Sequence, residues 1–315
     1  MTVVVRDVRA AHPPSAVDPH LQPAYLLAVA EATGQRAVEV SGEGSGWSVQ
    51  YPLLLQSSGA GWLARSPDYG GPVIEADDPL SALPAVRCAI DDALKAFGVI
   101  SEVCLSSPWL PHLDALATSW DWRPRKPVCV WALPPDLASV SHGRRADLRN
   151  PMPTAEGLLD ERSARAFAQR YAVAMERIGA APRWRLDEDY FVAIAGTGLV
   201  HHVQAGDETS GAAGLFLHGG SHAAYLFSVR WGAASGGPSR VLWRAAELLA
   251  ERGAVDLLLG GGASGDADDP LLAFKRSWGG REVPQLIGAR CFDPAEQARA
   301  EAEGARPLPL NAVAA

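Results

Sequence analysis

The stretch from Ser239 to Gly262, SRVLWRAAELLAERGAVDLLLGGG, constrains the fold more than any other part of the chain. It opens with helix periodicity behind a serine N-cap, stops at Gly253, and turns at once into an apolar strand ending in three glycines. A helix joined this tightly to a buried strand has to pack on a sheet, so helices and strands share one core.

The same mixture runs through both halves. PAYLLAVAEATG (Pro23–Gly34) predicts a helix with Gly34 as its stop, and WSVQYPLLLQS (Trp47–Ser57) a strand. From Pro79 to Val99, Val86, Ile90, Leu94 and Phe97 recur at helical spacing. PVCVWALP (Pro127–Pro134) is a strand closed by proline. In the second half, Phe167, Tyr171, Ala174 and Met175 mark one face of an amphipathic helix within Asp160–Gly179. GLVHHVQAG and GAAGLFLHGGSHAAYLFSVRWG predict strands in a hairpin, with His218–His222 as the turn. Between the halves, Ser141–Gly157 is polar, basic and broken by two prolines. The expected organisation is an α+β chain of two lobes, 1–150 and 151–305, followed by a flexible tail at 306–315. A length of 315 residues, beyond the size at which one core usually keeps growing, fits two cores.

The net charge of −8 argues against broad nucleic-acid binding and against DNA as a partner. No run of about 18 to 20 apolar residues predicts a membrane helix, and the charged N-terminus does not read as a signal peptide. Cys88, Cys104, Cys129 and Cys291 are scattered without zinc spacing and read as buried thiols of a reducing cytoplasm.

Several motifs weaken on inspection. Gly260–Gly262 could offer amides to a phosphate, but no Gly-Lys-Ser/Thr follows, and Asp266, Asp268 and Asp269 would repel an anion. His201 and His202, adjacent on a strand, point to opposite faces, and His218 and His222 flank a turn, so no metal site is expected. GGASGD lacks the GxSxG spacing of a nucleophile elbow. Arg144, Arg145 and Arg149 fit either a solvated strip or an anion clamp. Only three of the 28 cationic residues are lysines, and one of them, Lys275, follows Phe274 just after the glycine-rich turn.

Taken in order, YGGPV (Tyr69–Val73), RRADLRNPMPTAEG, RIGAAPRW with DYF, GAAGLFLHGGSHAAYLFSV, VLWRAAELLAERGA and LLLGGG…DDPLLAFKRSW resemble the Fem-type (FemABX) aminoacyl and acyl transferases of the GNAT-like superfamily. The resemblance runs from about Tyr69 to Trp278. It implies a double GNAT fold, two lobes of mixed sheet flanked by helices with a cleft between them. It further implies transfer of an amino acid from aminoacyl-tRNA to an amine of a small molecule or peptide, in the cytoplasm, without metal, cofactor or covalent intermediate. Lys275 is then the expected catalytic residue, placed to stabilise an oxyanion. Phe274 is expected to pack on the donor end, with Arg144, Arg145 and Arg149 as anion contacts. Tyr69, Gly70 and Gly71 are expected to line the acceptor site, and Gly261 and Gly262 to border it. The long helical arm of the cell-wall members is absent from this chain. Two alternatives stay open: an acyl-CoA-dependent N-acyltransferase of the same fold, with its pyrophosphate at the Arg230–Gly237 loop, and a non-catalytic binding protein.

Overall fold

A computed structural model describes residues 2–10, 18–149, 152–264, 266 and 268–302, with backbone alone at Arg183. The chain forms two compact units, one made of the chain up to Lys126 and again from Pro284, the other of Pro127–Val283. The sequence reading placed the division at 150 and kept everything through 305 in the second lobe. Long-range strand pairing moves it: the last strand of the chain returns to the first unit, pairing Ile287–Cys291 with Ser101–Leu105. The tail expected at 306–315 lies outside the described residues.

The first unit opens with β1 (Thr2–Asp7), α1 (Pro23–Ala32), β2 (Arg36–Gly44), β3 (Trp47–Ser57), β4 (Trp62–Arg65) and β5 (Val73–Ala76). It continues through α2 (Pro79–Ala96), β6 (Val99–Leu105) and α3 (Leu113–Ser119). The second unit begins within β7 (Arg123–Ala132). It holds α4 (His142–Arg149), β8 (Thr154–Leu158), α5 (Glu161–Arg177), α6 (Glu188–Ala195), β9 (Val200–Gly206), β10 (Gly211–Gly219) and β11 (His222–Trp231). After these come α7 (Gly237–Glu251), β12 (Asp256–Gly261) and α8 (Pro270–Arg276); β13 (Arg281–Cys291) and α9 (Pro294–Ala302) are the last elements among the described residues.

In the first unit the strands run β1-β2-β3-β4-β6-β13, with β5 beside β3. Its β3 is buried on both faces at Tyr51–Leu55: Tyr51, Leu53 and Leu55 share the core of α2, and Pro52 and Leu54 on the opposite face are buried as well. The helix α2 starts where the sequence says it should: the Asp78 side chain caps it and Pro79 occupies the first turn. Val86, Ile90 and Leu94 then enter a core with Val38, Val40, Tyr51, Leu53 and Trp120. Inside this unit Arg290 is nearly buried between Glu102 and Asp91, its guanidinium 5.1 Å from the Trp120 ring, while the Tyr51 hydroxyl donates to Glu102.

In the second unit the order is β7-β12-β11-β10-β9-β8. Every pair given a register is antiparallel except β11 with β12. β10 and β11 form the hairpin expected around His218–His222, with Gly219 facing His222 across a two-residue turn. Asp160 caps α5, accepting from Ser163 N at 2.7 Å, and Phe167, Tyr171 and Ala174 are buried as their spacing predicts. The core centres on Trp131 and Trp278, ring centroids 5.1 Å apart, with Phe216, Leu257 and Leu259 around them.

Two further expectations change. Cys88 and Cys291 are exposed, so only Cys104 and Cys129 are buried thiols. The helix α7 begins two residues before the expected serine cap: Gly236 holds the cap position in the left-handed region, and Ser239 lies buried in the first turn. Pro238 explains the shift, since its fixed φ and missing N–H suit a first helical turn.

Candidate active site

Lys275 sits on a platform built by short-range rules. Asp269 caps α8 by accepting from Leu272 N at 2.9 Å, and Pro270 follows at the first helical position. The same carboxylate accepts from Ser264 N at 2.7 Å and Ser264 Oγ at 3.0 Å, tying the preceding turn to the helix. These amide bonds hold its pKa down to about 2. A Cβ at Gly262 would stand 2.6 Å from that carboxyl carbon, so glycine lets Asp269 approach. Asp269 is thereby a structural carboxylate. Asp266 and Asp268 are exposed.

The strand beneath carries an irregularity of its own. The register of β12 against β7 shifts between Leu258 and Gly260, and Gly260 takes φ +75°, a conformation that favours glycine. β12 is hydrogen-bonded to β11 over only three registers, from His222↔Asp256 to Ala224↔Leu258. Past that point β12 presents the carbonyl of Gly261. Lys275, 7% exposed, donates to it from Nζ at 2.7 Å. This bond fixes the direction of the ammonium in a largely dry setting, where its charge acts more strongly than in water.

Phe274 is half-buried, edge-on to Trp278 at 6.1 Å, with the Arg144 guanidinium 5.1 Å from its ring centroid. Arg144 is not a free anion clamp. Its Nη1 lies 2.7 Å from Asp147 Oδ2 and 2.9 Å from Ser239 Oγ, and Ser239 Oγ donates to the same carboxylate at 2.7 Å. Thus Lys275, Phe274, Arg144, Gly261 and Gly262 come together in the second unit. Arg145 and Arg149 are exposed on α4, and Arg230 is exposed on β11. Asp147 was not singled out from the sequence, where the i, i+3 spacing of Arg144 and Asp147 was the available signal, and Ser239 was read only as a helix cap.

Tyr69, Gly70 and Gly71 belong to the first unit. Gly70 bridges to Ser106, its N–H donating to Leu105 O at 2.9 Å, and a Cβ at Gly71 would meet Leu110 Cδ1 at 2.5 Å. The Tyr69 ring lies 5.2 Å from that of His20, whose Nδ1 is 2.8 Å from Asp18 Oδ1. Burial opposes charge on His20, but Asp18 outweighs it and the pKa is raised; burial, with Asp68 and Asp18, pushes the Tyr69 hydroxyl up. The buried pair Asp18–His20 was not anticipated; only the Asp-Pro-His spacing hinted at it.

Among the described residues, no group of three or more His, Cys, Asp or Glu could hold a metal ion, and no helix is long and apolar enough to cross a membrane.

No protein-family profile matches the chain, and no curated protein sequence does. Solved structures do match. FemX superposes with a TM-score of 0.70 at 14% identity, covering 92% of this chain and 96% of its own. The fold is that of FemX. The same fold extends to a C-terminal domain of a putative lysylphosphatidylglycerol synthetase from Agrobacterium fabrum. There the TM-score is 0.54 at 13% identity, with 94% and 93% of the two chains covered. A tandem GNAT protein from the clavulanic acid biosynthesis pathway matches at 0.50 and 11% identity over 93% and 99%. The FemX fold thus covers both units, in each of which parallel and antiparallel strand pairs mix.

Proposed function

We propose that this protein is an aminoacyl-tRNA-dependent transferase that forms an amide on the amine of a small molecule or peptide, in the cytoplasm. The supporting observation is the buried ammonium of Lys275, fixed 2.7 Å from Gly261 O next to Phe274. The neighbours support the acyl-transfer class by their names, FemX and lysylphosphatidylglycerol synthetase among them.

In this reading the acceptor amine attacks the ester carbonyl of the donor. A C–N bond forms, the carbonyl oxygen takes the displaced electron pair, and the tetrahedral intermediate carries an oxyanion. Lys275 stabilises that charge, a contribution of roughly 3 to 4 kcal/mol for a single well-placed donor. Collapse breaks the C–O bond to the ribose, and the leaving oxygen departs with a proton given up by the amine. An aminoacyl ester is already activated, so holding the two reactants together supplies much of the remainder. Phe274 packs on the donor end, and Arg145 and Arg149 contact donor phosphates.

Incubation of the protein with charged tRNA and a panel of amines, with and without ribonuclease, tests this. Amide product that disappears with ribonuclease supports the reading. Product that forms regardless of ribonuclease, or no product with any charged tRNA, overturns it.

A further inference from the structure

The sequence sets His201 beside His202 and His218 four residues before His222, and neither pair is expected to share an ion. The fold makes a different pair. His201 opposes Phe216 across β9 and β10, and His218 stands two residues beyond Phe216, so both rings rise from one face of the sheet. That face is the one covered by α7, since Val203 and Phe216 share a core with Leu242, Ala246 and Leu249. The ring centroids of His201 and His218 are 5.9 Å apart. Nδ1 of His201, a residue 3% exposed, and Nε2 of His218 are both buried, and neither has a hydrogen-bond partner among the described residues.

A single buried nitrogen left in this way is costly, and here two of them belong to neighbouring rings. The His218 ring is also hydrogen-bonded to the Gly220 backbone, which raises its pKa against the larger lowering by burial, as an accepting carbonyl does. The ring proton therefore sits on Nδ1, and Nε2 presents a bare lone pair. A backbone carbonyl behind the ring fixes a metal-binding histidine in the same manner.

Three observations choose the ion. No third His, Cys, Asp or Glu joins the pair among the described residues, so the protein offers two ligands. Arg252, at the end of α7, sets a positive charge near both rings, which a divalent ion would feel twice as strongly as a monovalent one. With metal–nitrogen bonds of about 2 Å, two imidazoles on a tetrahedral ion have centroids about 5 Å apart, and a nearly collinear pair about 6 Å apart. The observed 5.9 Å matches the collinear arrangement. We infer that His201 and His218 form a two-imidazole site for monovalent copper, Cu(I), an ion that accepts two nearly collinear nitrogen ligands. The site is separate from Lys275. His218 opposes Ala223, and Ala223 opposes Leu257 near the start of β12, whereas Lys275 bonds to Gly261 at the other end of that strand. The bound ion ties β9 to the β10–β11 hairpin and takes no part in acyl transfer.

Anaerobic titration of the full chain with Cu(I), in competition with a chromophoric Cu(I) chelator, tests the site. The parent protein carries Cys88→Ser and Cys291→Ser, which remove the two exposed thiols as rival ligands. It is expected to take up one equivalent, with the imidazole nitrogen resonances of His201 and His218 shifting and those of the other histidines staying in place. His201→Phe and His218→Gln, each checked for folding by circular dichroism, are expected to weaken uptake by more than about tenfold, since even an outer partner of a ligand is worth that much. If the phenylalanine variant does not fold, the glutamine variant, at a partly exposed position, decides. Failure of the parent to take up stoichiometric Cu(I) overturns the inference, as does unchanged uptake by a folded His218→Gln protein. Tighter binding of Zn²⁺ than of Cu(I) at the same two rings overturns the choice of ion. The readout needs no turnover, so the site stands or falls independently of the transferase reading.

Discussion

Lys275 Nζ and the carbonyl oxygen of Gly261 are 2.7 Å apart, so a helix side chain is anchored to the end of a core strand. Lys275→Ala is expected to lower kcat by about 10²- to 10³-fold, the usual cost of removing one oxyanion donor. Lys275→Arg should not restore it, because a planar fork cannot take the place of a compact ammonium on the same carbonyl. A variant with full turnover would remove Lys275 from the mechanism.

Asp269 holds α8 in register with the turn at Ser264. Asp269→Ala should depress kcat by up to about 10²-fold, the scale expected when a reacting group moves by 1 Å. The folded pKa, about 2, lies below the ordinary 3.8, so the stability this carboxylate adds is complete above pH 4. It is lost as the pH falls toward 2. Acid titration followed by circular dichroism should show the wild type outlasting the alanine variant in that window; coincident curves would count against the assignment.

Glu102 and Arg290 form a buried ion pair in the first unit, 3% and 10% exposed at their side chains. Arg290→Met leaves a carboxylate in the core and should cost about 3–5 kcal/mol of stability. Urea denaturation checks this, and restoring stability in a Glu102→Gln, Arg290→Met double variant would show that the unpaired charge is the cause.

Burial, aided by Arg252 and His218, lowers the pKa of His201 to about 4 from 6.5. The unfolded chain therefore binds a proton that the folded chain refuses between those values. Stability contributed by neutral His201 is present above pH 6.5 and declines as the pH falls through about 4. His201→Phe should flatten this part of the stability profile. An unchanged slope would mean another group titrates.

Much of this was legible in the sequence because it is local. Asp160, Asp78 and Asp269 cap helices at positions set by neighbours three residues away, and the Trp47–Ser57 strand was bounded by its own glycines. The misreadings share a cause. Ser239 reads as a cap, yet Pro238 starts the helix earlier, and the freed hydroxyl goes to Asp147, far away in the chain. Arg144 reads as an anion clamp until the same carboxylate neutralises it. The boundary at 150 follows a polar, proline-broken stretch, whereas the true division depends on strand pairing that no local composition encodes. Lys275 stood out by its rarity and by the family resemblance, but its bond to Gly261 depends on tertiary placement.

The return of β13 to the first unit means that the second unit is an insertion within the first. On the ribosome, the segment through Lys126 emerges early yet lacks an edge partner for β6 until nearly the whole chain has been made. Pro127–Val283 can meanwhile gather its own strands as soon as it clears the exit tunnel. Synthesis order and folding order are therefore inverted: the first unit starts to be made before the second yet is completed after it, and a premature stop before Arg281 deprives the first unit of its closing strand.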